Sequence, residues 1–230
     1  MPVKMLSYAY GLAARLVNAR VPIAWLIVAG TMIGASASAR GDGPITILAL
    51  GDSLTAGYGL LAGEAFPDQL EAALQARGHD VRIINAGVSG DTTAGGRARF
   101  AWSLADDPDA VIVELGANDG LRGLDPEQTF ANLDAILTEA AARGVPVLLT
   151  GMKAPPNLGR EYGAAFDAIY TRLAARHEVR LYPFFLDGVA TLAELNQDDG
   201  IHPNTAGVAV IVARILPSAR ALIEDIGREP

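Results

Sequence analysis

Beyond residue 40, short apolar runs alternate with longer stretches in which apolar residues recur every three or four positions. Five short runs, Ile45–Leu50, Val81–Asn85, Ala110–Leu115, Val145–Thr150 and Val179–Tyr182, are rich in β-branched and aliphatic residues and predict strands. The first, third and fourth are apolar nearly throughout, which suits strands covered on both faces in a parallel sheet better than half-exposed hairpins. Between them, EAFPDQLEAALQARG sets Phe66, Leu70, Ala73 and Leu74 on one helical face, with Pro67 in the first turn and Gly78 as a stop. DPEQTFANLDAILTEAAARG offers Asp125 as N-cap, Pro126 at the first helical position, and Phe130, Leu133, Ile136 and Leu137 as the buried stripe. Further helices are expected over about Thr93–Ala105, Ala164–Arg176 and Thr205–Ile226. This alternation implies right-handed βαβ crossovers and a three-layer α/β/α sandwich. Ligands of such sheets gather at the carboxyl ends of the strands, so the residues directly after each strand should hold the chemistry.

Those residues are small and polar. GDSL (Gly51–Leu54) follows the first strand, AGVSGDTT (Ala86–Thr93) the second and GANDG (Gly116–Gly120) the third, and DDGIHPN (Asp198–Asn204) lies near the C-terminus. Ser53 supplies a hydroxyl that is a weak nucleophile unless a base takes its proton. His202 is the natural base, since imidazole titrates nearest neutral pH. Asp199, three residues earlier, can hold the imidazole Nδ1–H from a tight turn. An oxyanion would need donors: the Ser53 N–H, backbone N–H groups freed by Gly87 or Gly90, and the Asn118 amide. Taken singly these signals are weak, because GDS is a common turn tripeptide and Asn118 suits an Asx turn equally well. His79 and His177 each end a predicted helix, where a polar tip suits the helix dipole and no further role is needed. GYGLLA (Gly57–Ala62) formally matches a dinucleotide fingerprint, but its glycines begin seven residues after the strand rather than in its tight turn. There is no G-x-S-x-G elbow, which argues against the α/β-hydrolase version of a serine esterase, and no H-E-x-x-H motif or histidine cluster, so metal catalysis is not suggested.

Together the blocks resemble the SGNH, or GDSL, hydrolase family, in particular its arylesterase, acyl-CoA thioesterase I and lysophospholipase branch. GDSLTAGYGL, NAGVSGDTTAGG, VIVELGANDGLRGL, GMKAPPNLG, PFFLDGVA and DGIHPN carry the resemblance, in that order, over most of residues 45 to 210. It implies a flavodoxin-like five-stranded parallel sheet with Ser53 as nucleophile, His202 as base and Asp199 as its partner. It also implies an oxyanion hole of the Ser53 and Gly87 backbone amides and the Asn118 side chain, and it is the resemblance, not the spacing, that selects Gly87 over Gly90. Asp52 is expected to fix the turn by accepting backbone hydrogen bonds. Phe66 stands where many relatives carry tryptophan. The implied reaction is hydrolysis of carboxylic esters and thioesters, with no cofactor. A carbohydrate or peptidoglycan O-acetyl group is the alternative substrate, but the apolar loop GYGLLAGEAF favours acyl chains, with Leu60, Leu61 and Phe66 lining a channel and Gly57 and Gly59 in its wall. A non-catalytic binding module is disfavoured by the complete set Ser53, Asp199 and His202.

Residues 1 to 20 carry Lys4, Arg15 and Arg20 and no acid, followed by the apolar run VPIAWLIVAGTMIGA and the small residues ASASA. This is the layout of a secretory signal peptide cleaved after Ala39, leaving one domain from residue 40 to 230 and a periplasmic or secreted product. Val21–Ala35 falls short of the ~20 residues a spanning helix needs, so no stable membrane anchor is expected. Removing three of 18 basic residues leaves 15 against 26 acidic ones, a net charge of −11 that repels phosphate backbones and argues against a nucleic-acid partner. The absence of cysteine excludes disulfides, zinc thiolates, a cysteine nucleophile and a lipidated cysteine anchor. Oligomeric state and chain-length preference are left open by the sequence.

Overall fold

Five parallel strands form one sheet in the order β2-β1-β3-β4-β5, with β1 at Ile45–Gly51, β2 at Val81–Gly87, β3 at Ala110–Glu114, β4 at Val147–Thr150 and β5 at Arg180–Tyr182. They are seen in a computed structural model that describes residues 43–226; the expected export segment at residues 1–39 lies outside the described residues. β1 and β3 are buried along almost their whole length, as their unbroken apolar runs require of strands covered on both faces.

Seven helices connect and flank the strands: α1 (Ser53–Ala56), α2 (Phe66–Gln75), α3 (Thr93–Ser103), α4 (Ala117–Leu121), α5 (Pro126–Ala142), α6 (Arg160–His177) and α7 (Thr205–Asp225). The chain steps from β1 outward to β2, then reverses and adds β3, β4 and β5 on the other side. Right-handed crossovers in opposite directions must cover opposite faces. Accordingly α2 lies on one face, where α7 joins it, and α3, α5 and α6 lie on the other. This is the flavodoxin-like order, and its switch point is the crevice between the carboxyl ends of β1 and β3.

Local chemistry sets the helix ends. Asp125 caps α5 by accepting the Glu127 N–H, with Pro126 first in the helix as expected, and Asn204 caps α7 by accepting the Gly207 N–H. β4 and β5 begin later than their apolar runs because the first apolar residue is used to close the preceding helix. The Val145 N–H donates to Ala140 O of α5, and the Val179 N–H donates to Ala174 O of α6. α7 has the length and hydropathy of a membrane span, yet Val208, Ile211, Val212, Ile215, Leu216, Ala219 and Leu222 are buried, so it serves here as a core helix. α1 and α4 were not expected as helices, since four or five residues show no periodicity.

Register aligns the carboxyl edge. Gly87, Gly51, Glu114, Thr150 and Tyr182 pair in sequence across all five strands, forming one row. The residues that follow this row therefore emerge side by side, although they are far apart in the chain.

Candidate active site

β1 ends at Gly51 and the chain turns at once into α1. Asp52 caps that helix, its Oδ1 accepting the Leu54 N–H at 3.0 Å, as expected for this residue. Ser53 then takes the first helical position, where a backbone N–H has no intrahelical acceptor. The turn packs so closely on the sheet that a Cβ on Gly51 would run into the Thr55 side chain.

His202 arrives from the other end of the chain, on the loop before α7. An antiparallel bridge joins Asn196 to Pro203, and the Gln197 N–H donates to His202 O at 2.8 Å, so the loop is closed on itself. Inside it, Asp199 Oδ1 accepts the N–H groups of Ile201 and His202, both at 3.0 Å, and Oδ2 lies 2.6 Å from His202 Nδ1. His202 Nε2 lies 2.9 Å from Ser53 Oγ. The hydrogen bond from His202 holds the Asp199 carboxyl down at about 2, so it is ionised at any working pH. An ionised Asp199 can only accept, which puts the imidazole proton on Nδ1 and leaves Nε2 to accept the serine hydroxyl. The Tyr58 ring, its centroid 4.6 Å from that of His202, covers the imidazole, and Gln197 Nε2 fixes this arrangement by donating to Tyr58 O at 2.7 Å and Pro203 O at 3.0 Å.

Asn118 stands in the first turn of α4, above β3. Its Nδ2 donates to Asp52 Oδ2 at 3.0 Å, which orients the amide and leaves a second N–H for another acceptor. The next residue, Asp119, is buried and anchors α4 by accepting from Thr93 N, Thr93 Oγ1 and Thr129 Oγ1. Behind Asp52 stands Glu114, fully buried. Its Oε2 accepts the Thr55 hydroxyl at 2.8 Å, while Oε1 has no partner among the described residues. Burial raises both carboxyls: Glu114 goes well above the usual carboxylate range, and Asp52 to about 6.

Gly87 does not present a donor to this site. Its N–H donates to Asn85 Oδ1 at 2.9 Å, and the absent side chain makes room for the backbone of α1, since a Cβ would collide with Ala56 N. Gly90, with φ 81°, sits instead in the wall of the cavity shared by Ser53, Asn118 and His202, and no acceptor among the described residues takes its N–H. Two arginines hold the Gly90 loop. Arg122 Nη2 donates to Gly90 O at 2.8 Å. Arg99 pairs with Asp91 at 2.8 Å and donates to Ala86 O at 2.7 Å and Gly51 O at 2.8 Å, tying this loop to the ends of β1 and β2. Sequence reasoning missed Arg99, Arg122, Tyr58 and Gln197, whose roles arise from contacts with distant segments.

The cavity measures about 710 Å³, and apolar groups dominate its wall: Met152 and Pro155 after β4, Phe184 and Leu186 after β5, with Leu121 and Ile201. The expected channel residues are elsewhere. Phe66 is 0% exposed, packed edge-on against Phe185 in the core; Leu61 is 75% exposed; and Leu60 packs against the core without reaching the cavity. The first turn of α2 faces the sheet, which draws Phe66 inward. Gly57 and Gly59 do not line the cavity either: Gly57 is the left-handed C-cap of α1, and Gly59 lies where a Cβ would meet the Gln197 amide. His177 bonds Asp134 at 2.7 Å, away from this site, in keeping with a structural role. Among the described residues no group of acidic or histidine side chains could hold a metal ion.

Similarity to known proteins follows the same boundaries. A model of the GDSL-like lipase/acylhydrolase family matches residues 49–210. Esterase TesA of Pseudomonas aeruginosa is 41% identical over 179 residues, covering 77% of this chain and 89% of that protein. The Thioesterase 1/protease 1/lysophospholipase L1 of Escherichia coli K12 is 45% identical over 160 residues, 69% of this chain and 76% of that one. Among solved structures, the psychrotrophic esterase EstA from Pseudoalteromonas sp., inhibited by monoethylphosphonate, matches with a TM-score of 0.74 at 33% identity, covering 78% of this chain and 99% of its own. A seryl hydroxyl bonded to an aspartate-backed imidazole at the switch point of this sheet, within a sequence matched over most of its length, means that the chain belongs to the GDSL-like lipase/acylhydrolase, or SGNH hydrolase, family.

Proposed function

We propose that Ser53 is the nucleophile, His202 the general base and Asp199 its partner in the hydrolysis of carboxylic esters and thioesters through an acyl-enzyme. The observation that carries this reading is the unbroken chain from Asp199 Oδ2 through His202 Nδ1 and Nε2 to Ser53 Oγ, with contacts of 2.6 and 2.9 Å. Ser53 Oγ attacks the acyl carbon as its proton passes to His202 Nε2. The carbonyl electrons move onto oxygen, where the N–H groups of Ser53 and Gly90 and the free N–H of Asn118 receive them. Collapse expels the alcohol or thiol, which takes the proton from His202. Water then gives a proton to His202 and attacks the acyl group, the acid leaves, and Ser53 regains its proton.

Relatives named esterase, thioesterase and lysophospholipase support small-molecule acyl esters as substrates. The apolar wall of Met152, Pro155, Phe184 and Leu186 favours an acyl chain over an acetylated sugar, which would present hydroxyls to groups that cannot bond them. In the same reading residues 1–39 are a cleaved export segment ahead of a single domain, nucleic acid is not a partner, and mass analysis of exported protein starting at Arg40 is the expected result. A fluorophosphonate probe tests the chemistry directly. It should label Ser53, and Ser53→Ala should lose both labelling and p-nitrophenyl ester turnover; a Ser53→Ala enzyme with normal turnover would overturn the proposal.

A further inference from the structure

Lys153 is the one lysine among the described residues, and it stands in the wall of the substrate cavity. Its backbone is held rigidly. The Gly151 N–H donates to Tyr182 O at 2.7 Å, the Phe185 N–H returns to Gly151 O at 2.9 Å, and a Cβ on Gly151 would strike the Pro183 carbonyl, so the segments after β4 and β5 run in close contact. On its other side the Ala154 N–H donates to Asp167 Oδ1 at 3.1 Å. The lysine stem therefore rises from a fixed point at the carboxyl edge, and its Nζ lies 4.8 Å from the centre of the Phe184 ring.

The charge has no counterpart. No carboxylate among the described residues forms an ion pair with Lys153, Asp167 included, and no acidic side chain lines the cavity. Its neighbours in the wall, Met152, Ala154, Pro155 and Phe184, offer no oxygen or nitrogen acceptor from their side chains. Lys153 is exposed at the rim of this apolar wall, and a cation without an acid partner there, on a chain rich in acid, is the arrangement that an anionic substrate bound against the wall completes. A cation covering an aromatic ring is the bland alternative, and it predicts no response to the charge of the substrate.

We infer that Lys153 makes the cavity selective for esters that carry an anionic phosphate or carboxylate group beside their apolar chain, a specificity that rests on the esterase reading of the same site. The ammonium binds the anion while the acyl chain lies along Met152, Pro155 and Phe184, so of two esters with the same chain the anionic amphiphile is turned over in preference to the neutral one.

The test uses two matched pairs of substrates on the mature enzyme. In one pair, a monoacylglycerol and the monoacyl glycerophosphate of the same chain, the charge is on the leaving group. In the other, p-nitrophenyl esters of an alkanoic acid and of its ω-carboxy counterpart, it is on the acyl side. Whatever Lys153→Met does to neutral esters, the ratio of anionic to neutral kcat/KM should fall by about 2- to 5-fold in at least one pair, and Lys153→Arg should restore most of it. The pair that responds identifies where the charge is borne. As salt rises from about 0.01 to 0.5 M the ratio should fall more in the unaltered enzyme than in Lys153→Met, because the acidic surface acts on both alike and only the unaltered enzyme has the ammonium to screen. A ratio unchanged in both pairs by Lys153→Met, with the same salt dependence in the two enzymes, would overturn the inference, whereas absence of turnover on both the neutral and the anionic esters by the unaltered enzyme would instead remove the esterase reading.

Discussion

Above β1, β2 and β3 almost every polar group is held by another. Asp52 accepts from Leu54 and Asn118, Asp119 accepts from Thr93 and Thr129, and Arg99 spans Asp91, Ala86 and Gly51. Above β4 and β5 the edge is apolar, built from Met152, Pro155, Phe184 and Leu186, with the Lys153 ammonium as its cation. The first half fixes atoms to within a hydrogen bond and suits a reaction in which charge develops at one place. The second offers apolar contact area, a means of discriminating chains in which one methylene is worth only ~1–3 kcal/mol. Position is thus set on one side of the sheet and preference on the other.

The sharpest break in that division is Asn118→Ala. Removing one oxyanion donor should lower kcat by ~10²–10³ with KM little changed, read from steady-state kinetics on a p-nitrophenyl ester. An effect confined to KM would place Asn118 on the binding side of the divide.

Two phenylalanines separate core from cavity on the apolar side. Phe66→Ala should destabilise the fold by ~3–5 kcal/mol in urea unfolding, because it empties a fully buried site against Phe185. Phe184→Ala should leave most of that stability but lower kcat/KM for long acyl chains by about 10-fold relative to short ones. If Phe66→Ala changed chain-length preference as much as Phe184→Ala does, the boundary of the cavity drawn here would be wrong.

Arg99→Lys tests whether the Gly90 loop works through its position. Lysine keeps the charge but loses the fork that reaches Gly51 O and Ala86 O. Two lost bonds at about 1 kcal/mol each set a ceiling of roughly 30-fold on the fall in kcat, and KM should move less than about 2-fold. A change in KM alone would mean that Arg99 shapes the cavity rather than the donors.

The same division explains what could be read from the chain. Ser53, Asp199, His202 and Asn118, which the structure brings to one crevice, could be gathered from the chain only as a set: each follows a strand or sits in a tight turn, and singly each suits an ordinary turn equally well. The three-layer sandwich was legible because apolar runs alternating with amphipathic ones admit few topologies, whereas the flavodoxin-like arrangement came with the family resemblance. Gly87 and Gly90 were not separable, since whether a glycine serves a donor or a close approach depends on what lies opposite; opposite Gly87 lies Ala56, from another segment. Leu60, Leu61 and Phe66 failed as channel residues because apolar side chains carry no mark of which cavity they face. Tyr58 and Gln197 act through a contact between segments 139 residues apart, Tyr58 before α2 and Gln197 in the His202 loop, and a local pattern cannot show them.

Asp52 belongs to both sides of this comparison, a charge placed by hydrogen bonds yet buried as deeply as the core. Burial raises its carboxyl to about 6, against an ordinary value near ~4 in the unfolded chain. Between those values the folded protein keeps a proton that the unfolded chain has released. The penalty of ionising Asp52 is therefore absent below about pH 4, grows through the window and is complete above about pH 6. Two pH units correspond to on the order of 2–3 kcal/mol. Asp52→Asn removes that penalty but leaves Asn118 Nδ2 without its carboxylate acceptor, a loss of about 1 kcal/mol. The variant should thus be more stable than the parent by about 1–2 kcal/mol at pH 8, lose that advantage by pH 4, and turn over esters more slowly at every pH because the Asn118 amide is no longer aimed. Urea unfolding at the two pH values measures the first part and kcat the second. A variant less stable at pH 8, or equally stabilised at both pH values, would mean that the folded protein does not hold an ionised carboxylate beside Ser53.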